Sequence, residues 1–268
     1  MEKPWRPVIW KSKRKTELME SIKFYKPLNS SVTQARVLLV GPVGVGKSSF
    51  FNSINSIFRG HVTSQAISGR SSTCKPLPLV LCDTMGLEEG VGAGLHIDDI
   101  SNILKGHLPD RYQFNPSVPL QSETHGFRKS PDLKDKIHCV TYVLDASKIS
   151  IMSTKMEEKL NAIRRKVNLM GIPQLVLLTK VDEACSLVRK DIRNVYKSNC
   201  IKELMEEAAA RVGVPLSYII PVKNYSEESE LGKNIDILLL SAVVQMLRFA
   251  DNFFDEISDQ MSRVTTGE

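Results

Sequence analysis

The sequence contains no window of eighteen consecutive apolar residues. Its most apolar late stretch, residues 235–250, is broken by Asp236, Gln245 and Arg248, so no membrane span is expected. Cysteine is sparse: Cys74, Cys82, Cys139, Cys185 and Cys200 are scattered, with no C-x-x-C pair. That spacing argues against a disulfide or zinc framework and fits a reducing, cytoplasmic setting. Cys82 and Cys139 fall in apolar segments, where a thiol behaves as a small hydrophobe. The opening MEKPWRPVIWKSKRK holds no apolar core of the signal-peptide kind. Met-Glu is no myristoylation signal and Thr-Thr-Gly-Glu no prenylation box, so no lipid anchor is expected. Repeats and low-complexity tracts are missing too.

What is present is a chain of 268 residues, 42% hydrophobic, long enough to bury a sizeable core. It fits one large α/β domain, or one domain with appendages. The net charge of +6 is unevenly placed. Residues 1–30 carry eight Lys/Arg against three Glu, so the basicity belongs to an N-terminal arm and the body is nearly neutral. Leu18, Met19, Ile22, Phe24 and Tyr25 suggest a short amphipathic helix in that arm, ended near Pro27. Residues 1–26 are then either a contact for nucleic acid or an anionic membrane, or a solvated face packed on the domain. The second reading is preferred, because charge runs serve solvation more often than binding.

Residues 41–48, GPVGVGKS, fit Gly-x-x-x-x-Gly-Lys-[Ser/Thr] at Gly41, Gly46, Lys47 and Ser48. The apolar run 37–40 reads as a buried strand, and Phe50, Phe51, Ile54, Ile57 and Phe58 recur at helical spacing. Such a strand–loop–helix unit wraps phosphates in backbone N–H groups at the positive end of the helix. The phosphate-binding candidates are therefore Gly41, Val43, Gly44, Val45, Gly46, Lys47, Ser48 and Ser49. Lys47, also a catalytic candidate, is placed to reach the β- and γ-phosphates, and the Ser48 hydroxyl to ligate Mg²⁺.

Further apolar strands are expected at 77–82, 137–144, 174–178 and 216–222, with helices near 95–104, 152–170, 188–212 and 235–261. The alternation predicts an α/β fold with a doubly wound, mostly parallel sheet that binds ligand at the carboxyl ends of its strands. Residues 105–136 hold four prolines and little periodicity, and are expected to form an ordered insertion or a mobile flap. The expected divisions are a basic arm and helix over 1–30, the main domain over 31–261, and a disordered tail over 262–268.

Two more motifs follow strands. Asp83, in Asp83-Thr84-Met85-Gly86, suits a carboxylate partner of a bound Mg²⁺, and the Gly86 N–H suits a γ-phosphate contact that closes a switch. Thr179-Lys180-Val181-Asp182 fits the guanine-reading pattern [Asn/Thr]-Lys-x-Asp. Asp182 can accept both the ring N1–H and the exocyclic amine of guanine, and adenine lacks that pair of donors. Lys180 is expected along the base and ribose. After the last strand Lys223 or Asn224 stands where another base contact is expected, although a simple turn explains them nearly as well. Glu88 is a weak catalytic candidate, because Leu87 follows Gly86 where Ras-like enzymes use a water-orienting glutamine. A switch threonine for the metal is sought at Thr73 or, second, at Thr63.

With these motifs in place, RVLLVGPVGVGKSSFFNSINSIFRGHVTSQA, LCDTMGL, LKGHLPDRYQFN and LLTKVD resemble the interferon-induced protein 44 family of GTPase-like proteins, from about Tyr25 to Asp255. The resemblance implies a Ras-like P-loop core with extra N- and C-terminal helices, binding GTP or GDP with Mg²⁺. It further implies a cytoplasmic, interferon-responsive protein tied to antiviral response and restrained proliferation, in a family where several relatives carry an extra N-terminal domain. Between Ser71-Ser72-Thr73 and Leu77 there is no room for the strand hairpin the family places there, so either the form is shortened or residues 59–69 supply the edge strand. The expected roles are a slow GTPase switch, a nucleotide-bound scaffold without turnover, or an effector acting through the basic arm.

Overall fold

The computed structural model describes residues 3–63, 76–90, 93–109, 112, 114–115 and 120–266. Its centre is a sheet of five parallel strands: β1 (Ala35–Val40), β2 (Leu79–Asp83), β3 (Cys139–Asp145), β4 (Gln174–Thr179) and β5 (Ile219–Pro221), in the order β2-β1-β3-β4-β5. Every residue of β3 is buried, as a strand covered on both faces requires. Register pairs Leu39 with Asp83 and Asp145 with Thr179, so the strand ends that carry the motifs are level. Successive connections leave β1 in opposite directions, to β2 and then to β3. The crevice between β1 and β3 is the switch point at which such sheets take ligands.

The helices are α1 (Ser12–Lys23), α2 (Lys47–Arg59), α3 (Asp99–Leu104), α4 (Thr154–Leu169), α5 (Val181–Ala184), α6 (Ser186–Lys190), α7 (Asn199–Val212) and α8 (Lys233–Thr266). Helix α2 packs on α8, which carries α1, while α4 contacts both α3 and α7. Three boundaries differ from expectation. The run 188–212 is not one helix, because Asp191 accepts the Arg193 N–H and Ser198 the Ile201 N–H, each restarting the chain as a cap. Residues 216–218 form a 3₁₀ turn and leave only three residues to β5. Helix α8 runs on to Thr266, so residues 262–266 are helix rather than a disordered tail.

By length and composition alone, residues Lys233–Gln260 are apolar enough to cross a membrane. However, 67% of its most apolar 18-residue window is buried inside the fold, with Leu239, Val243, Met246 and Phe254 in the common core. Truncating one such ring or branched side chain to alanine costs about 2–5 kcal/mol, which marks α8 as a core helix of the fold.

The N-terminal arm is not loose. The Trp5 backbone N–H donates to the Tyr196 carbonyl, and the Trp5 ring packs edge-on against the Tyr196 ring. Arg6 donates to the Ile219 and Leu216 carbonyls. Leu18 and Ile22 of α1 are buried, and Lys15 pairs with Asp236 at 2.7 Å. Two of the eight basic residues therefore face the body of the protein. The described part of the insertion is also fastened: Arg128 donates to the Gly106 and Leu108 carbonyls, and the Leu120 N–H donates to Asp99 at 2.7 Å.

His138 ties the end of the insertion to the sheet. Its Nδ1 accepts the Arg36 N–H at 2.9 Å, so Nε2 carries the proton and donates to the Leu133 carbonyl. Burial lowers its pKa from 6.5 to about 4, outweighing the Leu133 bond. The unfolded imidazole takes up a proton below about pH 6.5 and the folded one does not. His138 thus leaves stability undiminished above that pH and erodes it as pH falls towards 4, at up to about 1.4 kcal/mol per pH unit. Urea midpoints at pH 7 and pH 5 should show this drop, and His138→Gln should flatten it. An equal drop in the variant would assign the effect to other groups.

Candidate functional site

The loop after β1 hugs the neighbouring strand: a Cβ on Gly41 would lie 2.1 Å from the Val143 carbonyl oxygen. At the far end Gly46 has φ +95°, a left-handed value that favours glycine, and there the chain turns into α2. Lys47 opens the helix, 7% exposed, and its Nζ donates to the Gly41 and Pro42 carbonyls at 3.0 and 2.9 Å. Burial lowers the Lys47 pKa, with Asp83 acting against the shift. Val45 is buried, Val43 is 60% exposed, and Ser48 and Ser49 are both exposed on the first turn of α2.

Ser48 Oγ donates to Asp83 Oδ2 at 2.5 Å. A hydroxyl and a carboxylate oxygen converging beside a buried ammonium are the hard donors that Mg²⁺ accepts, so the residues fit that ion. The rest of the Asp83–Gly86 motif is sewn to the loop. The Leu87 N–H donates to Gly41 O, and the Val43 N–H to Leu87 O. A Cβ on Gly86 would meet Val43 Cγ2 at 2.4 Å and Val43 backbone at 2.9 Å, so this approach needs glycine. Leu87 is buried at 1% exposure. Past it, Glu88 is exposed and its carbonyl takes the Lys159 ammonium, while Glu89 accepts from Ser153 at the start of α4.

The second motif reaches the same loop. Thr179 Oγ1 lies 2.6 Å from Val45 O and 3.0 Å from Leu144 O. Asn224 Nδ2 donates to Gly46 O at 3.0 Å. Lys180 has φ +56°, the one non-glycine positive φ among the described residues, and its ammonium sits 2.8 Å from Asp145 Oδ2. Burial raises the Asp145 pKa, but the bonds from Lys180 and Ser147 outweigh it and lower the carboxyl overall. Asp182, in the first turn of α5, pairs with Lys223 at 2.9 Å, and Lys223 also pairs with Glu228 at 2.8 Å. Loop, Thr179, Asn224, Asp182 and Lys223 therefore share one edge of the sheet.

Sequence reasoning placed these residues but missed Asp145, whose signal was its position at a strand end level with Thr179. Thr73 lies outside the described residues. Thr63 lies away from Ser48 in this structure: its N–H and Oγ1 both meet the Ser56 hydroxyl, which is two turns, or about 12 Å, along α2 from Ser48. Of residues 59–69, Arg59 ends α2 and residues 60–63 are not strand, while 64–69 lie outside the described residues.

This fold and its loop define a P-loop protein of the GTPase G-domain fold class. Toc33 from Arabidopsis thaliana, solved with GDP and Mg²⁺, superposes with a TM-score of 0.50 at 14% identity, covering 90% of this chain and 93% of that one. The chain is a homologue of the interferon-induced protein 44 and 44-like proteins. It is 43% identical to human interferon-induced protein 44-like over 266 residues, 93% of this chain and 59% of that protein. It is 41% identical to human interferon-induced protein 44 over 256 residues, 90% of this chain and 57% of that protein. The chain thus spans about three-fifths of the length of these curated relatives. No protein-family model matches it.

Proposed function

We propose that the chain binds a guanine nucleotide with Mg²⁺ and acts as an interferon-responsive cytoplasmic protein of antiviral defence. The observation that carries the nucleotide reading is the pair of bonds Thr179–Val45 and Asn224–Gly46, which fasten the base-reading segments to the phosphate loop. In this reading the loop N–H groups and Lys47 hold the phosphates, and Ser48 and Asp83 hold the metal, which neutralises phosphate charge when bound. Asp182 accepts from the guanine edge, with Lys223 as its counter-ion at the rim.

Buried Leu87 favours holding the nucleotide over hydrolysing it, since its side chain is committed to the core and cannot orient a water. The chain then serves as a nucleotide-bound scaffold, and turnover by purified protein should be no faster than a slow background. The test is a titration with labelled GDP, GTP and ATP. GDP and GTP should bind at least about 100-fold more tightly than ATP, and Asp182→Asn should remove most of that gap. An unchanged preference in the variant would take base reading away from Asp182.

A further inference from the structure

Apart from the nucleotide edge, the described residues bring two cysteines together where the α5–α6 junction meets the start of α7. Cys185 Sγ lies 3.2 Å from Ser198 Oγ, and Cys200 Sγ lies 3.7 Å from the carbonyl oxygen of Ala184, the residue before Cys185. Each thiol thus touches a near chain neighbour of the other, which sets the two side chains next to each other. Cys200 is exposed to solvent, whereas Cys185 is 8% exposed.

The pair is chemically asymmetric. Burial pushes the Cys185 thiol up, but bonds from Ser198, the Val188 and Leu187 N–H groups and Cys200 outweigh it, and the net shift is down. Cys200 is raised by burial and by the negative charge of its neighbour. Cys185 is therefore the readier of the two to ionise and Cys200 the slower, the division found between an attacking and a resolving thiol. Cys139 stands in contrast: fully buried in β3, its thiol is pushed strongly up.

We propose that Cys185 and Cys200 are a site of peroxide oxidation that closes to an intramolecular disulfide, stapling the α5–α6 junction to α7. The Cys185 thiolate attacks one peroxide oxygen, the O–O bond breaks, and the departing hydroxide takes a proton to leave as water. The resulting sulfenic acid is attacked by Cys200 sulfur, which gives up its proton as the S–S bond forms and a second water departs. Two thiols lose two electrons and the peroxide gains them. The staple encloses residues 186–199, including Tyr196, on which Trp5 is seated, and it tethers the turn that bears Asp182.

The test uses the full chain, reduced, freed of reductant and exposed to graded hydrogen peroxide. Free thiols are then alkylated and peptides mapped without reductant. The expected product is one peptide pair joined through Cys185 and Cys200, lighter by two hydrogens and released by dithiothreitol. It should form at lower peroxide than any oxidation of Cys82 or Cys139. In Cys200→Ser the link should vanish and Cys185 should be trapped by dimedone as the sulfenic acid. Over-oxidation of either thiol without a link, linkage to Cys74, Cys82 or a second chain, or no reaction at either residue would overturn the proposal. Mapping of the parent chain decides the matter even where the variant fails to fold, and it is independent of nucleotide binding.

Discussion

Lys47→Ala is expected to weaken GDP and GTP binding by about 30- to several-thousand-fold, the effect of truncating one partner of a buried charge pair. The Lys47 ammonium is the cation at the mouth of the loop, held 7% exposed against two carbonyls of the loop itself. Stability should move the other way or stay level, because burial already disfavours the charged lysine and its removal relieves that cost. Fluorescence titration with labelled GDP and a melting curve on the same sample separate the two effects. Affinity within threefold of the parent would mean that the phosphates are not held by this loop.

The second large effect is far from the motif. Lys15→Met is expected to destabilise the fold by about 3–5 kcal/mol at pH 7, because it leaves the Asp236 carboxylate buried without its counter-ion. Asp236 has no exposed surface, and besides Lys15 at 2.7 Å it accepts from the Tyr225 hydroxyl at 2.6 Å. Urea unfolding of the parent and the variant at pH 7 checks this. A loss under 1 kcal/mol would show the pair to be dispensable.

These two lysines mark what was legible in the sequence. Lys47 is set by backbone geometry: glycines must stand where the chain approaches Val143 and Val43, and the spacing survives as a readable pattern. Thr179 and Asp182 were legible for the same reason, as was the alternation that gives five parallel strands. Lys15 was not, because an amphipathic pattern reports only the apolar stripe of Leu18 and Ile22, and a buried partner 221 residues away leaves no trace in it. Asp236 was visible only as an interruption of an apolar run, when its burial makes it the anchor of α1. The break of 188–212 into three pieces went unseen because Asp191 and Ser198 fit a helical face in sequence, and their capping bonds exist only in three dimensions.

Helix α8, at 34 residues, is about 51 Å long. Its first turn is pinned through Asp236 to Tyr225, whose chain neighbour Asn224 grips the loop at Gly46. Such a rod behaves as a pointer: pivoting it by about 5° at that end swings the opposite tip sideways by about 4 Å. A shift of the Tyr225–Asp236 contact would thereby be felt most beyond Phe254, where the helix leaves the core and residues 258–260 are exposed.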